Sequence, residues 1–286
     1  MIERQIPHFD MEQICDSGQC FRMDKLGDGY YRVLAGNRRL KLRQRTERVS
    51  FYCSEKEFAD FWENYFDLGA DYGKYLERID PKDRYLTEAA VNGSGIRILR
   101  QDLWEMIVSF LISQQNHIGR IRRCIGNICV RYGERIADRN EEEEAAEAGE
   151  NRMDGAGYGF PTPGALAKAT EEELRDCNLG YRAKYVLRTA QMVDQGDISL
   201  EEIGKMEYPR AKASLMELYG VGEKVADCIC LFALHQLEAF PVDTHIRQAL
   251  DAHYRSGFPK RKYAGIQGVL QQYIFYYELT GAGKQP

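Results

Sequence analysis

Lys224 and Asp243 are the two residues of this chain whose types and setting best suit covalent chemistry. Both lie within residues 218–245, LYGVGEKVADCICLFALHQLEAFPVDTH, a stretch that also holds Gly220 and Gly222. A neutral amine attacks an electrophilic carbon, and a carboxylate close by stabilises the cation that forms as a leaving group departs. Lysine ordinarily titrates near ~10.4 and a useful nucleophile nearer ~7–8, a fall that partial burial produces. Each residue also has a plainer reading. Lys224 fits a solvated cation in a first helical turn, although the helix dipole disfavours that place. Asp243 fits the N-cap of the next helix, accepting from the amide of His245 or Ile246. The capping role and the chemical role are compatible.

The glycines determine the elements around this pair. Tyr208 to Leu218 reads as a helix that Gly220 and Gly222 end, because glycine accepts positive φ without strain, and Glu223 to Gln236 starts a second one. The unit is a helix-hairpin-helix. Its hairpin presents the amides of Val221 to Glu223 at a helix N-terminus, where unpaired donors and partial positive charge suit a phosphate. Such contacts set the register of a nucleic-acid strand and read no base. Lys224 and Cys228, four residues apart, share one helical face, while Val225, Ile229 and Phe232 form a separate apolar stripe toward a core.

GVGEKVADCIC and PVDTH closely resemble the helix-hairpin-helix, Gly/Pro, Asp superfamily of DNA glycosylases, and within it the 8-oxoguanine DNA glycosylases. The likeness continues in SGQCFR, GIRILRQD, SQQNHIGRI, LGYRAKYV and VLQQYIF, in the family's order and over nearly the whole chain. It implies an α+β fold, with a twisted N-terminal antiparallel sheet and its helices followed by two mainly helical subdomains that hold DNA in a cleft. It also implies excision of 8-oxoguanine from duplex DNA, opposite cytosine, through a lysine Schiff base and β-elimination. Monofunctional relatives lack the lysine, so Lys224 adds an AP lyase activity. No cofactor is implied. Two other functions stay open: removal of another lesion such as an alkylated base on the same scaffold, and a non-catalytic DNA-binding helix-hairpin-helix module. The pair Lys224 and Asp243 argues against the module.

An enzyme that acts on a base must unstack it and fill the hole it leaves. By resemblance, Gln115 and Asn116 enter that space, although Gln115 and His117 stand where eukaryotic members have asparagines. Tyr181 matches the wedge beside the orphaned base, with a half-buried aromatic as the plain alternative. Arg120 and Arg182 match two arginines that donate to the widowed cytosine, and phosphate binding is their alternative. His245 matches a residue that holds backbone phosphate together with the hairpin Gly220, Val221 and Gly222. For the base itself, 8-oxoguanine carries a hydrogen at N7 where guanine has an acceptor, and a close backbone carbonyl reads that difference. Gly18 matches the residue supplying it. Gln271 matches the amide on the Watson–Crick edge, with Gln267 and Gln272 as neighbouring choices of register. Phe275 and Cys228 match the residues that cover the two faces of the base, with core filling as their rival.

Composition limits the remaining classes. The net charge of −5 disfavours a nucleic-acid partner until it is located: residues 138–176 hold 12 acidic and 4 basic residues, net −8, and the rest nets +3. The acidic insertion at 138–159 reads as solvated and flexible, with no chemical role. Eight cysteines show neither disulfide nor zinc spacing, and none follows Cys230, which disfavours an iron–sulfur cluster; no metal is expected. No run spans a membrane, and MIERQIPHFD lacks the regions of a signal peptide. These features predict a soluble intracellular protein, cytoplasmic if bacterial and nuclear if eukaryotic; the resemblance adds a monomer whose partner is double-stranded DNA containing 8-oxoguanine.

The hydrophobic pattern divides the chain near residue 85, into an N-terminal domain at 1–85 and a helical catalytic region at 86–286. Before that point YYRVLAG and RRLKLRQR alternate around Gly36-Asn37, which predicts an antiparallel sheet. Ser54 with Glu57 has capping-box spacing ahead of an aromatic stripe. Afterwards helical periods dominate, through Leu103, Ile107 and Leu111, then Ile118, Ile121, Ile125 and Ile128, then a Thr170/Glu173 cap.

Overall fold

The computed structural model describes residues 1–136 and 157–282. Alternation of apolar and polar residues makes β1 (Ile2–Gln5), β2 (Met23–Gly27), β3 (Tyr30–Ala35), β4 (Arg38–Arg45) and β5 (Arg48–Phe51), arranged as one sheet in the order β1-β5-β4-β3-β2. All its pairings are antiparallel, and β3 meets β4 from Tyr30↔Arg43 to Ala35↔Arg38. Gly36 closes that hairpin with φ +55°, as the Gly-Asn pair predicts.

Period two puts Val33, Leu40, Leu42, Val49 and Phe51 on the inner face, where each is fully buried. They pack on the helix over 55–65, whose Phe58, Trp62 and Tyr65, with Phe66 beyond its end, complete the first core. A π-turn at Phe58–Trp62 interrupts that helix. Its expected capping box is half made. The Ser54 hydroxyl accepts from the Glu57 amide at 3.1 Å, but the Glu57 carboxylate turns away to Trp62 Nε1 at 2.9 Å. At Thr170 and Glu173 both halves form.

A second core lies among the helices, and Phe21 and Tyr72 from the first part of the chain join it. Helices Arg84–Asn92 and Gln267–Leu279 pack on each other, so chain from both ends of the sequence builds one layer. Leu103–Ser113 and Ile118–Tyr132 follow the predicted apolar periods. The acidic insertion at 138–159 lies outside the described residues except for 157–159. There Ile136 N donates to Gly157 O at 2.9 Å and Gly159 N to Glu134 O at 2.8 Å, which brings the two ends of the insertion side by side.

Candidate active site

The helix-hairpin-helix forms with shorter helices than the pattern suggests. Tyr208–Leu215 ends one turn early, and Glu223–Phe232 stops before His235, whose φ of +52° no helix accommodates. Gly220 uses its freedom, at φ +90°, whereas Gly222 is extended at φ −98° and ψ 178°. The outward set of amides also needs correction. Val221 N is spent on Leu218 O at 3.1 Å and its side chain is buried, so the donors left at the uncapped helix start begin with Gly222 and Glu223.

Two concavities meet at Lys224 and Asp243. One is a narrow slot of about 70 Å³ walled by Ser17, Gly18, Phe110, Lys224, Cys228, Phe232, Pro241, Asp243, Gln271, Gln272 and Phe275. The other is an open cleft of about 620 Å³ lined by residues 113–116, 222–225 and 243–245. Lys224 and Asp243 alone, with the slot on one side and the cleft on the other, belong to both. Lys224 sits with Nζ 5.8 Å from the Phe110 ring centroid. Asp243 caps helix Thr244–His253 by accepting from Ile246 N at 2.8 Å, the nearer of its two expected targets being passed over.

The slot collects the residues that the resemblance assigns to a base. Gly18 has φ +72° and lies against Phe275, where an added Cβ would stand 3.1 Å from Cε1. Phe275 in turn meets His245 edge-on, with centroids 6.0 Å apart. Burial pushes the Cys228 thiol up to about 11, against the pull of the neighbouring Lys224, so it presents a neutral, polarisable wall at physiological pH. Gln271 is buried and donates to Pro241 O at 3.1 Å, and Gln272 donates to Gln271 Oε1 at 3.2 Å. Gln267 turns toward Lys260 O instead, at 3.3 Å, and takes no part in the slot. Of the three glutamines, 271 and 272 therefore line it.

Two buried amides that sequence reading passed over bond to Ser17 and Phe232 of the slot's wall from behind it. Gln19 donates to Ser17 Oγ and to Arg97 O, both at 2.9 Å, and accepts from Leu99 N at 2.8 Å. Gln101 Nε2 donates to Gln19 O at 2.8 Å while Gln101 N donates to Phe232 O at 3.1 Å. The only signal in the sequence was that both glutamines sit inside the family-like segments SGQCFR and GIRILRQD.

Across the cleft, Gln115 is exposed and holds φ +47°, a left-handed conformation uncommon outside glycine. Asn116 donates to Ile112 O at 3.1 Å. His117 accepts from Arg120 N at 3.3 Å through Nδ1 and caps its helix, a structural use for the histidine that stands where eukaryotic members have asparagine. Tyr181 is half exposed, and its hydroxyl lies 3.4 Å from Gln114 O and 3.5 Å from Gln115 Oε1. The two arginines differ. Arg120 is exposed, touching Asn178 O at 3.5 Å. Arg182 is 3% exposed, and its donors go to Gln114 O (2.7 Å from Nε, with Nη2 also bonded), Gln115 O (2.8 Å) and Leu179 O (3.5 Å).

A helix-hairpin-helix, a lysine opening its second helix and an aspartate at the junction of slot and cleft define a base excision DNA repair protein, and the family model for that HhH-GPD superfamily matches residues 108–265. The model for the N-terminal domain of 8-oxoguanine DNA glycosylases matches residues 1–107. The chain belongs to the 8-oxoguanine DNA glycosylase family of that superfamily. An N-glycosylase/DNA lyase of Saccharomyces cerevisiae is 36% identical over 179 residues, 58% of this chain and 44% of that protein. The N-glycosylase/DNA lyase OGG1 of Arabidopsis thaliana is 34% identical over 250 residues, 81% of this chain and 62% of that protein. The chain thus spans less than two thirds of these two relatives. The solved Clostridium acetobutylicum 8-oxoguanine glycosylase/lyase, in complex with double-stranded DNA containing cytosine opposite 8-oxoguanine, is 33% identical; the match covers 98% of this chain and 94% of that one, with a TM-score of 0.86.

Proposed function

We propose that this protein is a bifunctional DNA glycosylase and AP lyase that extrudes 8-oxoguanine from duplex DNA, opposite cytosine, and excises it. The observation that carries the reading is the position of Lys224 and Asp243 on the boundary between a slot lined by Gly18, Cys228, Gln271 and Phe275 and a cleft floored by the hairpin. A base in the slot with its backbone in the cleft puts the sugar between them. The Lys224 amine nitrogen then forms a bond to C1′ as the bond to the base breaks, and the base leaves with the bonding pair. Asp243 offsets the positive charge that develops on the sugar. The C1′–O4′ bond then opens, O4′ taking a proton as the nitrogen lone pair forms the C1′=N bond, so the amine stays attached as a Schiff base that acidifies the C2′ proton; loss of that proton expels the 3′ phosphate by β-elimination.

In this reading the Gly18 carbonyl accepts from the N7 hydrogen of 8-oxoguanine, and Phe275 and Cys228 cover the two faces of the base. Gln115, Asn116 and Tyr181 occupy the vacated stack. The Gly222 and Glu223 amides and His245 fix the strand. The test is excision and strand cleavage on duplexes carrying 8-oxoguanine, an alkylated base or an oxidised pyrimidine, each opposite all four bases. Strongest activity on 8-oxoguanine paired with cytosine is expected. Preference for an alkylated base would transfer the protein to another lesion, and binding without cleavage of any substrate would make it a DNA-binding module.

A further inference from the structure

Gln114 ends the helix Leu103–Ser113, one residue before the exposed Gln115, and two other segments converge on it. Its side-chain Nε2 donates to Gly220 O of the hairpin at 3.1 Å. Its own carbonyl accepts from Arg182 Nε at 2.7 Å and lies 3.4 Å from the Tyr181 hydroxyl. The hairpin and the Tyr181 segment also meet directly, because Tyr185 seats its ring on Gly220, where an added Cβ would lie 2.7 Å from Cγ. Tyr185 packs edge-on against Tyr181, with centroids 5.8 Å apart.

We propose that Gln114 is a positioning residue that locks the gap-filling loop, the Tyr181 wedge and the phosphate-binding hairpin into one register, so that base extrusion proceeds as a single step. The inference rests on the glycosylase reading above. Extrusion needs the strand held at the hairpin while the wedge and Gln115 enter the stack, and the energy at stake is a few kcal/mol. If the hairpin moved independently, strand and wedge would lose their fixed separation. Thr189 Oγ1 also donates to Tyr219 O at 3.3 Å, further along the helix that follows Tyr181, but the Gln114 side chain is the polar tie that reaches the hairpin from the gap-filling loop itself, and its carbonyl carries the other half of that connection.

The test uses Gln114→Met, which keeps the volume and removes the donor, and Gln114→Glu, which replaces the donor with an acceptor. Each is measured in single-turnover excision of 8-oxoguanine from a duplex, in fluorescence of a 2-aminopurine beside the lesion as a signal of unstacking, and in cleavage of a preformed abasic site in the same duplex. The abasic site has no base to extrude. Expected for both variants is excision slower by about tenfold, the scale of one lost hydrogen bond with its acceptor left unpaired. The unstacking signal should fall with it, while cleavage of the abasic site stays within about twofold of the unsubstituted protein. Equal loss on both substrates, loss on the abasic site alone, or no loss on either overturns the proposal. So does melting of both variants more than about 10 °C below the unsubstituted protein, which would make Gln114 a folding residue. Failure of the unsubstituted protein to excise 8-oxoguanine would instead defeat the functional reading.

Discussion

Gly18 and Phe275 touch so closely that a methyl group on Gly18 would stand 3.1 Å from the ring, on a backbone at φ +72°. Two penalties therefore fall on Gly18→Ala: a left-handed conformation that alanine resists by about 1 kcal/mol, and a ring that must shift out of the slot wall. We expect a folded variant with excision of 8-oxoguanine at least tenfold slower and lyase cleavage of abasic sites retained. Excision at the unsubstituted rate in single-turnover assays would remove Gly18 from the base-binding wall.

Lys224 supplies an amine at the boundary of slot and cleft, so borohydride is expected to trap a covalent complex with 8-oxoguanine duplex. Lys224→Gln should abolish the trapped species on denaturing gels while DNA still binds. Efficient trapping by the glutamine variant would mean that a different nucleophile attacks C1′.

Asp243 combines a cap with a charge, and two substitutions separate them. Asp243→Asn keeps an oxygen for Ile246 N, and asparagine caps as well as aspartate, so circular dichroism and Tm should change little. Its excision rate should fall by roughly 10²-fold, the scale of losing a preorganised electrostatic partner. Asp243→Ala should lose the same activity and about 1 kcal/mol of stability besides. Near-normal excision by the asparagine variant would leave Asp243 with the cap as its whole role.

Arg120 and Arg182 should separate in the same way. Arg120 is exposed beside the cleft, so Arg120→Ala should leave Tm unchanged and cost about 1–3 kcal/mol of discrimination for cytosine over the other three partners. Arg182→Ala strips donors from the carbonyls of Gln114, Gln115 and Leu179, and should lower Tm by about 5 °C and weaken excision alike for every opposite base. A uniform loss for Arg120→Ala, with a salt slope shallower by about one unit, would assign that arginine to a phosphate.

The contrast between these arginines marks where reading of the sequence stops. Strand register in β3 and β4 was legible because alternation and a Gly-Asn turn are local properties, and the helix starts at Asp243 and Thr170 announced themselves through capping chemistry. Lys224, Asp243, Gly18, Cys228, Gln271 and Phe275 were legible through the motifs, and the fold gathers all six around one slot. The fate of a guanidinium is not local. Arg182 is buried because carbonyls 67 and 68 residues away in the chain converge on it, and Val221 loses its outward amide to a turn whose geometry depends on where the preceding helix ends. Gln19 and Gln101 escaped notice because a single amide in a short segment reads as surface until its distant partners are known.

Those two glutamines fix a distance. Through Gln101, the loop carrying Gly18 is bonded to Phe232, the last residue of the helix that Lys224 opens, although the two ends of the connection are more than two hundred residues apart in sequence. On the proposed function, damage that differs from a normal base by one oxygen and one hydrogen is told apart by a Gly18 carbonyl that shares a common frame with the Lys224 amine. The Gln19–Gln101 link acts as a ruler between them. Its length is set by hydrogen-bond geometry, which tolerates a few tenths of an ångström, and not by the looser fit of one domain on another. In the proposed reaction this link holds inspection and incision to the same gauge, and a change at either glutamine is expected to blur discrimination between damaged and undamaged guanine before it slows the chemistry.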